Sequence, residues 1–380
     1  MAVGGEAVAR AKDGRVVLVA GALPNETVDV EISQVHPDYS RAVLRTVVEA
    51  SPDRVPAPCP HAERGCGGCG WQHVSLAAQR RLKMSMVLGV LGRQGVADEP
   101  VVALGPELAP FGYRTTLRLA VAGRAGFRRY RGHDVVEVDS CQVAHPLLAC
   151  LLAEGGFGAA TEVVLRCGAH TGERLAVLSP SAVGARLSPS VRVIGADDLA
   201  AGRRAWIFEE IAGTRFRVSA RSFFQARPDG AGVLVALVKA AMEDAPDGSV
   251  VDAYGGVGLF AATAGGDRPI TVLETSASSA ADARVNVPSA RVLRVDVARW
   301  RPRPAAVVVA DPPRSGLGRR AVVALSGTGA SHFVLVSCDV ASLARDAALL
   351  AAKGFALHST TVVDMFPGTP HVETVSRFVR

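Results

Sequence analysis

Residues 249–260 read SVVDAYGGVGLF. The apolar run that carries Asp252 meets a turn holding Gly255, Gly256 and Gly258, and helical sequence follows. Glycines there allow a tight turn and let a ligand approach the backbone closely. Four later stretches repeat the plan: PITVLE (269–274), ARVLRVD (290–296), AAVVVADPP (305–313) and HFVLVSCD (332–339). Each is a short apolar strand that ends in a polar or Gly-rich turn, with helical sequence after several of them. This alternation predicts an α/β fold for residues 221–380, a doubly wound and largely parallel sheet. Ligands of such sheets bind beyond the carboxyl ends of the strands.

The strand ends carry the chemistry. The turn is not GxGxxG, so a dinucleotide is not the first choice. Glu274 lies 22 residues after Asp252 and can accept from both hydroxyls of a ribose. Asp296 could accept from an adenine amino group, and Asp311 opens Asp-Pro-Pro-Arg at the end of the fourth strand. Acidic residues at four successive strand ends, with no P-loop, suit S-adenosylmethionine. Its sulfonium is cationic and it has no phosphate to cradle. Cys338 ends the fifth strand beside this donor, where a thiolate could act as nucleophile. Alternatively, it is a small inert hydrophobe. Glu373, between apolar residues in PHVETV (370–375), is a candidate base with a raised pKa or a strand-edge surface group.

Upstream the pattern differs. Residues 1–54 alternate β-branched residues between turn signals at 13–14, 24–25 and 37–39, which predicts a small β-barrel domain. Residues 1–58 hold six basic and eight acidic side chains, so this part does not favour nonspecific anion binding. A proline-rich linker (51–60) leads to Cys59, Cys66 and Cys69, spaced C-x6-C-x2-C. A fourth thiol, Cys141, follows in Asp-Ser-Cys-Gln-Val, with Cys150 and Cys167 as rivals. Four thiolates can hold zinc or an iron–sulfur cluster. A helix after Cys69 should bury Leu82, Met86, Val87, Val90 and Leu91, keep Arg80, Arg81 and Lys83 mostly off that face, and end at Gly92 or Gly95. Residues 55–220 otherwise read as a mainly β central domain. Within it, residues 111–133 hold six arginines and no carboxylate before Asp134, interleaved with Tyr113, Phe127 and Tyr130. Cations meet phosphates and rings stack on bases, so this is the expected RNA contact.

Together these motifs resemble the class I, S-adenosylmethionine-dependent RNA 5-methyluridine methyltransferases, over nearly the whole chain. Residues 3–32 resemble their TRAM domain. The resemblance implies a 4Fe–4S cluster on Cys59, Cys66, Cys69 and Cys141, with zinc as the alternative. It implies cofactor contacts at Gln225, in SFFQ, and at Tyr254 and the turn with Gly255 and Gly258. It gives Glu274 and Asp311 as further cofactor carboxylates, Cys338 as nucleophile and Glu373 as the base for the C5 proton. Leu259 stands where the family usually has Asn, and Asp339-Val340 where it has Asn-Pro or Asp-Pro. The expected substrate is ribosomal RNA, 23S in particular, before the T-loop of transfer RNA.

Composition bounds the alternatives. The chain has 380 residues, 49% hydrophobic and 21% charged, which is globular rather than disordered. No apolar run approaches the roughly 18 residues of a membrane span, and the start lacks a signal-peptide core. A cytoplasmic monomer with no membrane partner is expected. The net charge of +6 hints at an anionic partner, although only four of the 42 basic residues are lysine, which suggests an arginine bias in composition. Rival functions are an amine-directed nucleic-acid methyltransferase, which needs no thiol; a noncatalytic RNA-binding protein; and a DNA cytosine-C5 enzyme.

Overall fold

The computed structural model describes residues 1–94 and 101–380. The expected helix stop at Gly95 lies outside the described residues. Among the described residues no helix is long and apolar enough to cross a membrane.

The five apolar stretches of the C-terminal part form the heart of an eight-stranded sheet. Its order runs Arg291–Arg294, Ile270–Glu274, Val250–Ala253, Val307–Ala310, His332–Ser337, Glu373–Val379, Ala356–Val363 and Val102–Leu104. The first five strands are mutually parallel. Every residue of Val250–Ala253, Val307–Ala310 and His332–Ser337 is buried, as continuous Val-rich strands covered on both faces must be. Strand order reverses at Val250–Ala253, whose neighbours lie later in the chain on both sides. That switch point leaves a crevice beyond the strand ends. Glu373–Val379 inserts antiparallel between its two neighbours.

Segments upstream of residue 221 pack onto the C-terminal sheet. Val102–Leu104 pairs in parallel with Thr360–Val362 and completes the sheet's edge. Helix Leu76–Arg93, capped by Ser75, buries Ala78, Met86, Val87 and Leu91 in the same core as Val308, Leu335 and Phe378. The hairpin Trp206–Ile211 and Thr214–Ser219 places Ile207, Phe216 and Val218 against Leu234, Val238 and Leu259. A parallel sheet needs both faces covered, and these upstream pieces supply part of the cover. Lys83 also departs from its expected place: it is fully buried, because Asp364 meets it from the far end of the chain.

The central part is a six-stranded sheet, ordered Val191–Gly195, Arg174–Ser179, Glu162–Cys167, Thr116–Ala122, Arg124–Arg128 and Val135–Glu137. Helix Pro146–Glu154 packs Leu148, Leu151 and Leu152 onto it. Residues 1–49 form a four-stranded sheet with a small core of Val17, Val19, Ala22 and Ala42.

Candidate active site

Two cavities meet at Cys338. The first, about 590 Å³, lies beyond the ends of the parallel strands at the switch point. Gln225, Tyr254, Gly255, Glu274, Asp311 and Glu373 line it with Cys338. Tyr254 and Gly258 both take left-handed backbone angles, φ +59° and +92°. Gly255 is required by space: a Cβ there would sit 2.7 Å from Val272 and 3.0 Å from the Asp252 carboxylate. The turn is locked from across the crevice, because Glu274 accepts from the amides of Gly256 (3.0 Å) and Ser276 (2.6 Å). Gln225 Nε2 donates to Asp311 at 3.3 Å.

Three residues expected at this wall stand elsewhere. Asp252 is buried beneath the turn, where Oδ2 accepts from the Ala261 amide at 3.0 Å and Oδ1 has no partner. It braces the turn against the helix that follows. Gly258 caps the N-terminus of that short helix. Asp296 is exposed and caps a 3-10 turn by accepting from the Ala298 amide at 2.9 Å. Both carboxylates accept from a backbone amide of the segment that follows them. Burial raises the pKa of Asp252 and of Asp311 to about 7, and neighbouring carboxylates add to the shift at Asp252.

Strand pairing explains why Cys338 and Glu373 are together. Ser337 pairs with Thr374 in antiparallel register, so Cys338, just past one strand, comes opposite Glu373, the first residue of the other. Burial pushes the Cys338 thiol up to about 12, with the charges of Glu373 and Asp311 adding and Arg314 opposing. Burial likewise raises Glu373 well above the usual carboxylate range, with Asp311 adding and Arg314 opposing.

The second cavity, about 710 Å³, opens on the other side of Cys338. Gly4 and Glu6 of the N-terminal sheet, the segment 65–73, Tyr130, Arg314 and His371 line it. Gly5 accounts for the close docking of the N-terminal sheet here: its carbonyl accepts from Trp71 Nε1 at 3.0 Å, and a Cβ would meet Pro370 at 2.4 Å. Arg314 and His371 stood in quoted motifs with no role attached. The structure brings Arg314 Nη2 to 3.2 Å from a ring nitrogen of His371, whose pKa burial lowers to about 4.

The loop 364–372, which leads into Glu373, is held from outside the sheet. Lys83 Nζ donates to Asp364 at 2.6 Å and to the Phe366 carbonyl at 3.2 Å. Trp71 N donates to the Gly368 carbonyl at 2.7 Å, and Gly368 N donates to Gln79 Oε1 at 2.6 Å. A lone lysine in a helix gave no sequence signal for this contact.

A third cavity of about 370 Å³ is lined by Cys59, Cys66, Cys69 and Cys141, all free thiols. Cys150 and Cys167 stand apart, Cys167 buried against the central sheet. Burial pushes the Cys69 thiol up to about 12, and the charges of Cys141, Cys66 and Cys59 add to the shift. Four thiolates so placed require positive charge between them. Among the described residues no three His, Cys, Asp or Glu side chains are gathered closely enough to hold a metal ion. Four thiols on one cavity wall are the donor chemistry of zinc and of iron–sulfur sites alike.

Known proteins bear on this architecture. Residues 4–44 match the TRAM domain. An uncharacterized RNA methyltransferase of Streptomyces avermitilis is 32% identical, over 99% of this chain and 95% of its own length. One from Corynebacterium efficiens is 34% identical, over 99% and 92%. The chain belongs to this RNA methyltransferase family. The methyltransferase also shares its fold with the tRNA (uracil-54, C5)-methyltransferase of Pyrococcus abyssi, whose structure contains S-adenosyl-L-homocysteine. That likeness has a TM-score of 0.74 and 24% identity, and covers 99% of this chain and all of the other. The α/β architecture with a TRAM domain at its start is thus the one the motifs implied.

Proposed function

We propose that this methyltransferase transfers a methyl group from S-adenosylmethionine to C5 of a uridine in RNA, through a covalent bond between Cys338 and C6. The observation that carries the reading is the position of Cys338 and Arg314 on the shared wall of the two cavities. One cavity has the carboxylates for a ribose and a cationic donor. The other opens toward the TRAM domain and can receive an extruded base.

When bound, the donor supplies an electrophilic methyl group on a cationic sulfonium. Gln225, Tyr254, Glu274 and Asp311 would hold it. The protein's own groups do the rest. The Cys338 thiolate adds to C6, and the electron pair of the C5–C6 double bond makes C5 nucleophilic. After C5 is methylated, Glu373 as carboxylate removes the C5 proton, the double bond re-forms and Cys338 leaves as thiolate. The four cysteines would hold a 4Fe–4S cluster as structural support, and no step of the reaction needs it.

Ribosomal RNA is the substrate we favour, with the T-loop of transfer RNA as the alternative. Labelled S-adenosylmethionine supplied with total RNA, followed by size fractionation and nucleoside analysis, tests both points. Label in 5-methyluridine that vanishes in Cys338→Ala is expected. Label in another nucleoside, or label surviving in Cys338→Ala, would overturn the reading in favour of amine methylation. Glu373→Gln should accumulate a protein–RNA adduct while turnover falls about 10²–10⁴-fold. Anaerobically purified protein should contain iron and sulfide; stoichiometric zinc in a colourless, active protein would refute the cluster.

A further inference from the structure

We propose that Tyr130 is a fixed stacking platform for an RNA base adjacent to the methylated nucleotide. The inference rests on the second cavity receiving the RNA. Tyr130 sits in the loop between strands Arg124–Arg128 and Val135–Glu137 and is 53% exposed. A single exposed ring is ordinary. This one is distinguished by how it is held and by what it faces.

Two separate parts of the protein fasten the loop. On one side Arg131, with its backbone in the left-handed region at φ +54°, lays its guanidinium 5.0 Å from the Tyr130 ring centroid. The same guanidinium donates to Glu6 of the TRAM domain at 3.1 Å. Glu6 is buried and also accepts from Arg41 at 2.6 Å, so the anchor is itself fixed. On the other side Gly67 N donates to the Arg128 carbonyl at 3.0 Å, and Cys66 bridges to Arg129. Arg129 N closes the loop by donating to the Asp134 carbonyl at 2.9 Å. A non-glycine residue in left-handed geometry is strained unless its surroundings impose it. Here the ion pair to Glu6 holds the side chain.

The ring so held lines the cavity that Cys338, Arg314 and His371 also line. At about 710 Å³ this space falls in the range of roughly 300–1,000 Å³ typical of ligand sites. A uridine drawn to Cys338 leaves its stack, and its neighbours lose a stacking partner. An aromatic ring on a rigid loop replaces that partner, while the arginines around it meet the flanking phosphates. Stacking on a ring is tolerant of sequence, so Tyr130 contributes to grip and to extrusion rather than to base identity.

The test uses full-length protein and a stem-loop RNA with one loop uridine flanked by 2-aminopurine. Wild-type protein is expected to quench the 2-aminopurine on binding, and Tyr130→Phe to quench equally, because the ring and not the hydroxyl acts. Tyr130→Ala is expected to lose the quench and raise KM for RNA about tenfold, the scale of one lost stack. Its affinity for S-adenosylmethionine should stay unchanged. Equal quench and KM in Tyr130→Ala would overturn the platform, as would absence of quench with wild type. The same RNA carrying 5-fluorouridine separates the two readings. A Cys338 adduct without quench refutes the platform alone. Quench without an adduct supports the platform and removes the uracil-C5 chemistry.

Discussion

Cys338 should be a poor nucleophile until the methyl donor is bound. Its thiol is pushed up to about 12 by burial and by Glu373 and Asp311. At pH 8 such a thiol is thiolate in about one molecule in 10⁴, against about one in four for an ordinary cysteine near 8.5. That lowers reactivity about 2,000-fold. A more basic thiolate is also a better nucleophile, and a Brønsted slope of about 0.4–0.5 returns about 40-fold. Carbamidomethylation of Cys338 by iodoacetamide should thus run about 50-fold slower than that of free cysteine. The rate should keep rising toward tenfold per pH unit from pH 8 to 10, because the thiol titrates above that window. Were a bound donor to set its sulfonium roughly 6 Å from Sγ, an effective dielectric of about 20 would favour the thiolate by about 3 kcal/mol, or about two pKa units. After the same Brønsted correction the reaction should quicken about tenfold. S-adenosylhomocysteine covers the same surface without the charge and should give no acceleration. Peptide mapping by mass spectrometry reads Cys338 separately from the other six cysteines. A plateau in rate below pH 9, or equal rates with the two ligands, would refute the reasoning.

Other groups make further predictions. Lys83→Met should cost about 3–5 kcal/mol in urea unfolding, because Asp364 is left buried without its cation; adding Asp364→Leu should recover much of it, and a loss below 1 kcal/mol would show the pair to be dispensable. Folded-state pKa values near 7 for Asp252 and Asp311 lie above the ordinary 3.8 of an aspartate, so the native state holds extra protons between pH 4 and 7. Stability from these groups therefore falls as pH rises through that window, and Asp252→Asn should flatten the dependence of Tm on pH. Gly5→Ala, whose Cβ would meet Pro370 and Trp71, should weaken RNA binding and leave calorimetric binding of the donor intact; unchanged RNA affinity would detach the TRAM domain from the substrate cleft.

Local signals reached far into the candidate active site. Apolar strands running into Asp252, Glu274, Asp311 and Cys338 state both the sheet and the edge where the crevice opens, because parallel strands buried on two faces must be apolar throughout. A carboxylate at a strand end serves a ligand or a backbone amide equally well in sequence, and Asp296 and Asp252 each accept from a backbone amide, of Ala298 and of Ala261.

The sequence by itself determined the alternation of strands and helices after residue 249, which carboxylates and which thiol stand near the strand ends, and the family. The tertiary structure alone decided which of those groups meet. Ser337 pairing with Thr374 sets Cys338 beside Glu373. Lys83 reaches Asp364 across 281 positions, and Glu6 reaches Arg131 across 125. Composition and periodicity describe how one segment partitions between water and core. They carry no information on which distant segment closes over it, since that depends on long-range packing in which Lys83 is buried only because a carboxylate is buried with it.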